Sequence, residues 1–182
     1  MKKVAVFGGP GAGKSTLSRK LAGLTHLPLH VIDLLCYDTG GAPVPAEVYS
    51  KRHAEILAQP AWLMDGYGSY ETLWNRLSEA DTQIYVDLPL HTHLWWVSKR
   101  FLMAWLTPPE GWPDRSPLLK STLASYRNVW LCHEHLTPRY RAFLEQASHS
   151  KKVFHLRSPA EIARFLADAE HACKSWTKEL AQ

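Results

Sequence analysis

Near its N-terminus the chain reads Gly8-Gly9-Pro10-Gly11-Ala12-Gly13-Lys14-Ser15-Thr16. The segment matches the pattern G-x-x-x-x-G-K-[ST] at every fixed position. Glycines let a backbone wrap closely around an anion with its N–H groups pointing inward. The segment therefore predicts a phosphate-binding loop over residues 8–16, called the P-loop below.

The residues on either side of the P-loop support this interpretation. The apolar run 3–7 predicts a strand, and residues 14–24 predict a helix with Leu17, Leu21 and Leu24 on one face. The helix adds the positive end of its dipole to the loop. In such a loop Lys14 reaches the β- and γ-phosphates and the Ser15 hydroxyl binds magnesium, so the predicted cofactors are ATP and Mg²⁺.

Strand-like and helix-like segments alternate along the rest of the chain, which is typical of a parallel sheet covered by helices. Together with right-handed crossovers, this predicts a three-layer α/β fold with five parallel strands in the order 2-3-1-4-5 and helices on both faces. The expected strands are 3–7, 29–33, 61–65, 82–87 and 152–156, and the expected helices are 14–24, 45–58, an interrupted region 90–147, and one that begins at Ser158-Pro159.

The length of 182 residues fits a single domain, 1–182. Within it we expect an acceptor-binding insert at about 33–60 and a lid at about 99–127, where the Pro/Gly-rich run Thr107–Pro113 interrupts the helical pattern. The competing interpretation of this region is a fixed packing face or a dimer contact. The sequence does not indicate an oligomeric state.

Charge and cysteine content indicate the expected partners and compartment. The formal net charge of +4 suits an anionic ligand but provides no basic stripe for direct nucleic-acid binding. The three cysteines form no C-x-x-C unit, which predicts reduced thiols in a cytoplasmic protein. The most apolar stretch, 93–106, is broken by Lys99 and Arg100, so no membrane span is expected.

Acidic residues follow the predicted strands at the edge where ligands bind in open α/β sheets. Asp65 is expected to organise magnesium, and Asp33 to orient or deprotonate an acceptor hydroxyl or to hold a metal-bound water. Asp33, Asp65 and Gly66 are also expected to contact the acceptor. The alternative for both aspartates is that they cap loops. For Asp87 a cap and a site role are equally open.

Arginines near the predicted lid are candidates for stabilising the charge of a transferring phosphoryl group. These are Arg100, Arg115 and Arg127, while Arg76 could hold an acceptor phosphate. Each of them taken singly is expected to be a solvated surface residue, but at least one of the four is expected to serve the site. The histidine pairs His91-x-His93 and His133-x-His135 match no zinc signature, because residues two apart on a helix point to different faces.

The chain resembles the adenylate-kinase-like P-loop proteins, and among them the group labelled topology-modulation or FlaR-related proteins. The resemblance covers about residues 3–167 and rests on Val4–Thr16, His30-Val-Ile-Asp33, Trp62-Leu-Met-Asp-Gly66 and the run from Arg76 to Thr82. It implies an ATP-binding kinase fold. The chain departs from adenylate kinases after the third strand, where Ser69 stands in place of their acceptor-phosphate arginine.

These features predict an ATP-dependent phosphotransferase that moves the γ-phosphoryl group of ATP–Mg to a small acceptor. A nucleoside or nucleotide is the leading acceptor class. The alternatives are a small non-nucleotide metabolite, as in shikimate or gluconate kinases, and a nucleotide-dependent regulatory or DNA-topology-associated protein. No Asn-Lys-x-Asp tetrad occurs, which argues against a GTPase.

Overall fold

The computed structural model describes residues 1–38, 42–103 and 118–179. In this part of the chain five strands form one parallel sheet in the order β2-β3-β1-β4-β5, which confirms the predicted fold class. The strands are β1 (Lys3–Gly8), β2 (Leu29–Val31), β3 (Trp62–Asp65), β4 (Thr82–Val86) and β5 (Lys152–Leu156).

Helices cover both faces of this sheet. They are α1 (Lys14–Thr25), α2 (Ala46–Leu57), α3 (Tyr70–Glu79), α4 (Leu90–Met103), α5 (Leu118–Leu131), α6 (Thr137–Ala147) and α7 (Pro159–Glu179). Side chains of α1 and α7 pack against Val4 and Val6 of β1. Side chains of α2, α3 and α6 pack against Ala5 and Phe7, which point to the opposite face because successive strand residues alternate.

The second strand is shorter than expected and Asp33 does not end it. Strand β2 lies at the edge of the sheet, and its last paired residue is Val31, opposite Asp65 at the end of β3. The chain then enters a 3₁₀ turn over Ile32–Cys36. Ile32 is fully buried in the core, so the turn places Asp33 beyond the carboxyl edge of the sheet.

The helical region after β4 divides into α4, α5 and α6, with a π turn over Cys132–Leu136 between α5 and α6. Pro138 accounts for this turn, because its ring and missing N–H disrupt regular helix geometry on its N-terminal side. The N–H of Thr137 donates to the carbonyl of Cys132, five residues earlier. The predicted loop Thr107–Pro113 and Arg115 lie outside the described residues.

None of the helices in the described part of the chain is both long enough and apolar enough to cross a membrane.

Candidate phosphate-binding site

The P-loop joins β1 to α1 through backbone conformations that favour glycine. Gly13, the residue before α1, has a φ of 75° and a ψ of 13° in the left-handed region. Gly8 has a φ of 142°, and a Cβ there would overlap the carbonyl of Val86 in β4. These two glycines allow the loop to leave the sheet and enter the helix within a few residues.

Lys14 is already held against the loop. Its Nζ donates to the carbonyl of Gly9 at 2.8 Å, and the side chain is partly buried. Ser15 and Thr16, the next two residues of α1, are exposed. The first turn of α1 therefore presents a cation, two hydroxyls and free N–H groups at one place, which suits a polyphosphate.

A cleft of about 970 Å³ opens in front of the P-loop. The loop and the start of α1 line this cleft together with residues of α4, α5 and the π turn. Of the predicted site residues, the cleft brings together Gly8, Pro10, Gly11, Ala12, Gly13, Lys14, Ser15, Thr16, Asp33, Asp65 and Gly66.

Asp65 is the buried carboxylate of this cleft. It is 1 % exposed at the end of β3, and its Oδ1 has no hydrogen-bond partner among the described residues. Burial raises the pKa of Asp65, while the charge of Lys14 and a hydrogen bond from Ser15 oppose that rise. A buried acceptor atom without a donor is costly, so the geometry fits a bound cation.

Asp33 fixes the loop that follows Asp65. Its Oδ1 accepts hydrogen bonds from the backbone N–H groups of Tyr67 and Gly68, each at 2.9 Å. Asp33 thus occupies a cap position, as the alternative interpretation expected, and it also lines the cleft. One oxygen holds the loop, and the carboxylate as a whole remains exposed to the cleft.

Arg76 holds the same loop from its other side. The guanidinium donates to the carbonyls of Gly66 and Tyr67, and the side chain has no exposed surface. An acceptor phosphate therefore cannot contact Arg76 in this structure, in contrast to the sequence-based expectation. Position 76 lies in α3, whose buried face includes this residue.

The other predicted arginines are not among the described residues that line the cleft. Arg127 lies on the exposed surface of α5, whereas Ser125 and Asn128 of the same helix line the cleft. The side chain of Arg100 and the whole of Arg115 lie outside what the structure describes. Arg19, one turn along α1 from Ser15, lines the cleft and was not singled out from the sequence.

Asp87 has a different setting from Asp33 and Asp65. Its side chain is 6 % exposed and accepts two hydrogen bonds from Arg141, at 2.8 and 3.2 Å, and one from His155 at 2.8 Å. Burial alone would raise the pKa of Asp87, but these two partners hold it below its ordinary value. Asp87 thus ties β4 to β5 and α6.

Sequence reasoning also missed the apolar part of the cleft wall. Trp96, Met103, Leu131, Cys132 and Leu136 line it together with His135. Three of these lie in or next to the π turn, whose position the helical pattern alone did not indicate. The Pro138 signal could have located the turn, since a proline inside a helical pattern marks a break in it.

No family model matches the sequence, and no curated protein matches it. Membership in the topology-modulation group therefore stays a prediction. Among solved structures, the chain is similar to an unliganded sugar kinase from Janibacter sp. HTCC2649, with a TM-score of 0.48, 18 % identity, and coverage of 98 % of this chain and 95 % of that one. It is also similar to a gluconokinase from Sinorhizobium meliloti 1021, with a TM-score of 0.45, 14 % identity, and coverage of 99 % and 95 %.

Proposed function

We propose that this protein is an ATP-dependent phosphotransferase that acts on a hydroxyl group of a small acceptor. The observation that carries the proposal is the meeting of Lys14, Ser15 and the buried carboxylate of Asp65 in one cleft, where the Oδ1 atom of Asp65 has no hydrogen-bond partner among the described residues. A polyphosphate, a divalent cation and a second substrate can all be accommodated there.

Magnesium fits the oxygen atoms present. Mg²⁺ prefers hard oxygen ligands and commonly uses one or two carboxylates together with substrate phosphates. The Ser15 hydroxyl and the Asp65 carboxylate would hold it, directly or through water. The bound ion would neutralise part of the negative charge of the phosphates.

The residues of the chain then have distinct tasks in transfer. The P-loop N–H groups bind the β-phosphate, and Lys14 offsets charge on the γ-phosphoryl oxygens. The acceptor oxygen forms a bond to the γ-phosphorus as the bond to the β–γ bridging oxygen breaks, and ADP leaves. Asp33, exposed in the cleft, accepts the proton of the acceptor hydroxyl.

The burial of Arg76 favours an acceptor without a phosphate group. In the described part of the wall, the basic side chains are Lys14 and Arg19 on α1 and His135 in the π turn. Arg76, the residue expected to hold an acceptor phosphate, is buried. A nucleoside, polyol or sugar-type acceptor therefore suits the site better than a nucleoside monophosphate.

The test is a panel that measures ATP consumption with nucleosides, nucleoside monophosphates, sugars, polyols and sugar acids, with and without Mg²⁺. We expect Mg²⁺-dependent turnover with at least one unphosphorylated hydroxyl acceptor, and the loss of that turnover in Lys14→Met. If no acceptor stimulates ATP consumption, the proposed activity is wrong. A strong preference for nucleoside monophosphates would show that the proposed acceptor class is wrong, while the proposed phosphotransferase activity would stand.

A further inference from the structure

Helix α4 lies directly against the P-loop. A Cβ built on Gly9 would lie 2.9 Å from Cε1 of His93, and one built on Gly13 would lie 2.6 Å from Cζ3 of Trp96. His93 and Trp96 are three residues apart and therefore share one face of the helix. Because these P-loop glycines have no side chains, α4 can pack closely against the loop, just as a ligand can approach it.

His93 adds a specific hydrogen bond to this contact. Its Nδ1 lies 2.8 Å from the carbonyl oxygen of Pro10, although the two residues are 83 positions apart in sequence. A carbonyl oxygen can only accept, so Nδ1 carries the proton. The imidazole is 6 % exposed and holds this geometry inside the packed interface.

The hydrogen bond controls where the loop points its N–H groups. In a trans peptide the C=O and the N–H point in opposite directions. Because the Pro10 carbonyl is directed at His93, the N–H of Gly11 is directed away from α4. Pro10 and Gly11 both line the cleft, so this orientation favours an inward-facing donor.

The surroundings of His93 favour the neutral form of the imidazole. Burial lowers the pKa of His93, and the charges of Lys14 and His133 lower it further, against hydrogen bonds to the carbonyls of Pro10 and Leu88. A neutral imidazole places no additional positive charge beside Lys14. Its contribution at the loop is then the Nδ1–H donor and its shape.

We propose that His93 is a positioning residue that sets the Pro10–Gly11 peptide of the P-loop for phosphate binding. The benefit for ATP rests on the proposed function, but the effect on a bare polyphosphate does not. No sequence motif points to this role of His93, because the residue lies in α4 and not in the P-loop.

The test measures binding of ATP, inorganic tripolyphosphate and adenosine by calorimetry in four variants. His93→Leu removes the donor, His93→Asn keeps a donor near the Nδ1 position, and His93→Gln moves the donor to the position of Nε2. His91→Leu, on an exposed position of the same helix, is the matched control.

We expect His93→Leu and His93→Gln to bind ATP and tripolyphosphate roughly tenfold more weakly, the scale of one lost hydrogen bond. Adenosine affinity should not change, and His93→Asn and His91→Leu should stay within about twofold of the original protein. If His93→Leu does not fold, the difference in polyphosphate affinity between His93→Asn and His93→Gln tests the inference.

The inference is wrong if tripolyphosphate affinity is unchanged in His93→Gln. It is also wrong if His93→Asn shows an equal loss, because shape alone would then matter. Failure of the unmodified protein to bind tripolyphosphate would overturn it as well. Normal polyphosphate binding without any acceptor-dependent ATP turnover would instead contradict the proposed function and leave the role of His93 standing.

Discussion

At the scale of single residues, Lys14 is the most direct test of the P-loop. Its Nζ reaches back to the carbonyl of Gly9 and lies at the mouth of the cleft. We expect Lys14→Met to keep the fold and to lower turnover by roughly 10²–10³, the effect of losing one preorganised donor at a developing charge. Steady-state kinetics and circular dichroism measure both effects, and turnover equal to that of the original protein would refute the role.

Asp33 combines a structural and a chemical function that one substitution can separate. In Asp33→Asn the Oδ1 atom can still accept from Tyr67 and Gly68, but the carboxylate that would take the acceptor proton is gone. We therefore expect kcat to fall by about 10²–10³ with the KM for ATP nearly unchanged. An unchanged kcat would show that Asp33 only caps the loop.

Asp65 and Asp87 should respond to pH in opposite directions. The folded-state pKa of Asp65 is raised by burial, so in the unfolded chain this carboxyl loses its proton at a lower pH than in the folded protein. The free energy of unfolding therefore falls as pH rises from the unfolded-state pKa through the folded-state pKa. The folded-state pKa of Asp87 is lowered by Arg141 and His155, so its stabilisation is present at neutral pH and is lost as pH falls.

Urea unfolding from about pH 4 to pH 7 checks this pair. Asp65→Asn should increase the free energy of unfolding at neutral pH and change it little in acid, while binding Mg²⁺–ATP poorly. Asp87→Asn should lower the free energy of unfolding at neutral pH by about 2 kcal/mol, with a smaller effect in acid. The same sign for both variants at neutral pH would contradict the assignment.

At the scale of elements, the loop after β3 is held between two partners. Asp33 binds its N–H groups and Arg76 binds its carbonyls, and the hydroxyl of Tyr49 accepts from the N–H of Ser69 at 3.2 Å. Tyr49 in turn bonds Thr72 at 2.7 Å. The loop that brings Gly66 and Tyr67 into the cleft is therefore held by α2, α3 and the 3₁₀ turn together.

The burial of Arg76 predicts a defect in stability rather than in substrate binding. Removing it leaves the carbonyls of Gly66 and Tyr67 without donors and creates a cavity. We expect Arg76→Ala to lower the free energy of unfolding by about 3 kcal/mol. In Arg76→Lys, a milder change, the KM for the acceptor should stay within about threefold. A normal stability with a large rise in that KM would restore the phosphate-binding role.

At the scale of the whole molecule, the region 99–127 remains our predicted lid. It connects α4, which contacts the P-loop, with α5, which lines the cleft. We expect hydrogen exchange over residues 99–127 to slow when a non-hydrolysable ATP analogue binds. Equal exchange with and without the analogue would favour a fixed packing face.

The predicted lid arginines have a separate test. Arg127 lies on the exposed surface of α5 in this structure, so it can serve the phosphates only if α5 moves. We expect Arg127→Ala or Arg100→Ala to lower kcat by at least about tenfold if that closure occurs. Full turnover in both variants would move the role to Arg115.

The sequence by itself determined the features that depend on residues close together in the chain. The P-loop pattern depends on backbone freedom and on residue types within nine consecutive positions, Gly8–Thr16. The five strands and their parallel order followed from apolar runs, their spacing and the handedness of crossovers. Strand ends were less well predicted. Strand β2 ends at Val31 and not at residue 33, because its neighbour β3 ends at Asp65, the residue that pairs with Val31.

The tertiary structure alone decided how side chains from distant elements meet. Arg76 and Arg127 are both single arginines in helical patterns, yet one is fully buried and the other is exposed. His93 lies 83 residues from the carbonyl that it contacts. Periodicity indicates which face of a helix is apolar, but it does not say which polar group on another element that face will meet. That choice is made by packing, because a buried donor or acceptor must find its partner wherever the folded chain places one.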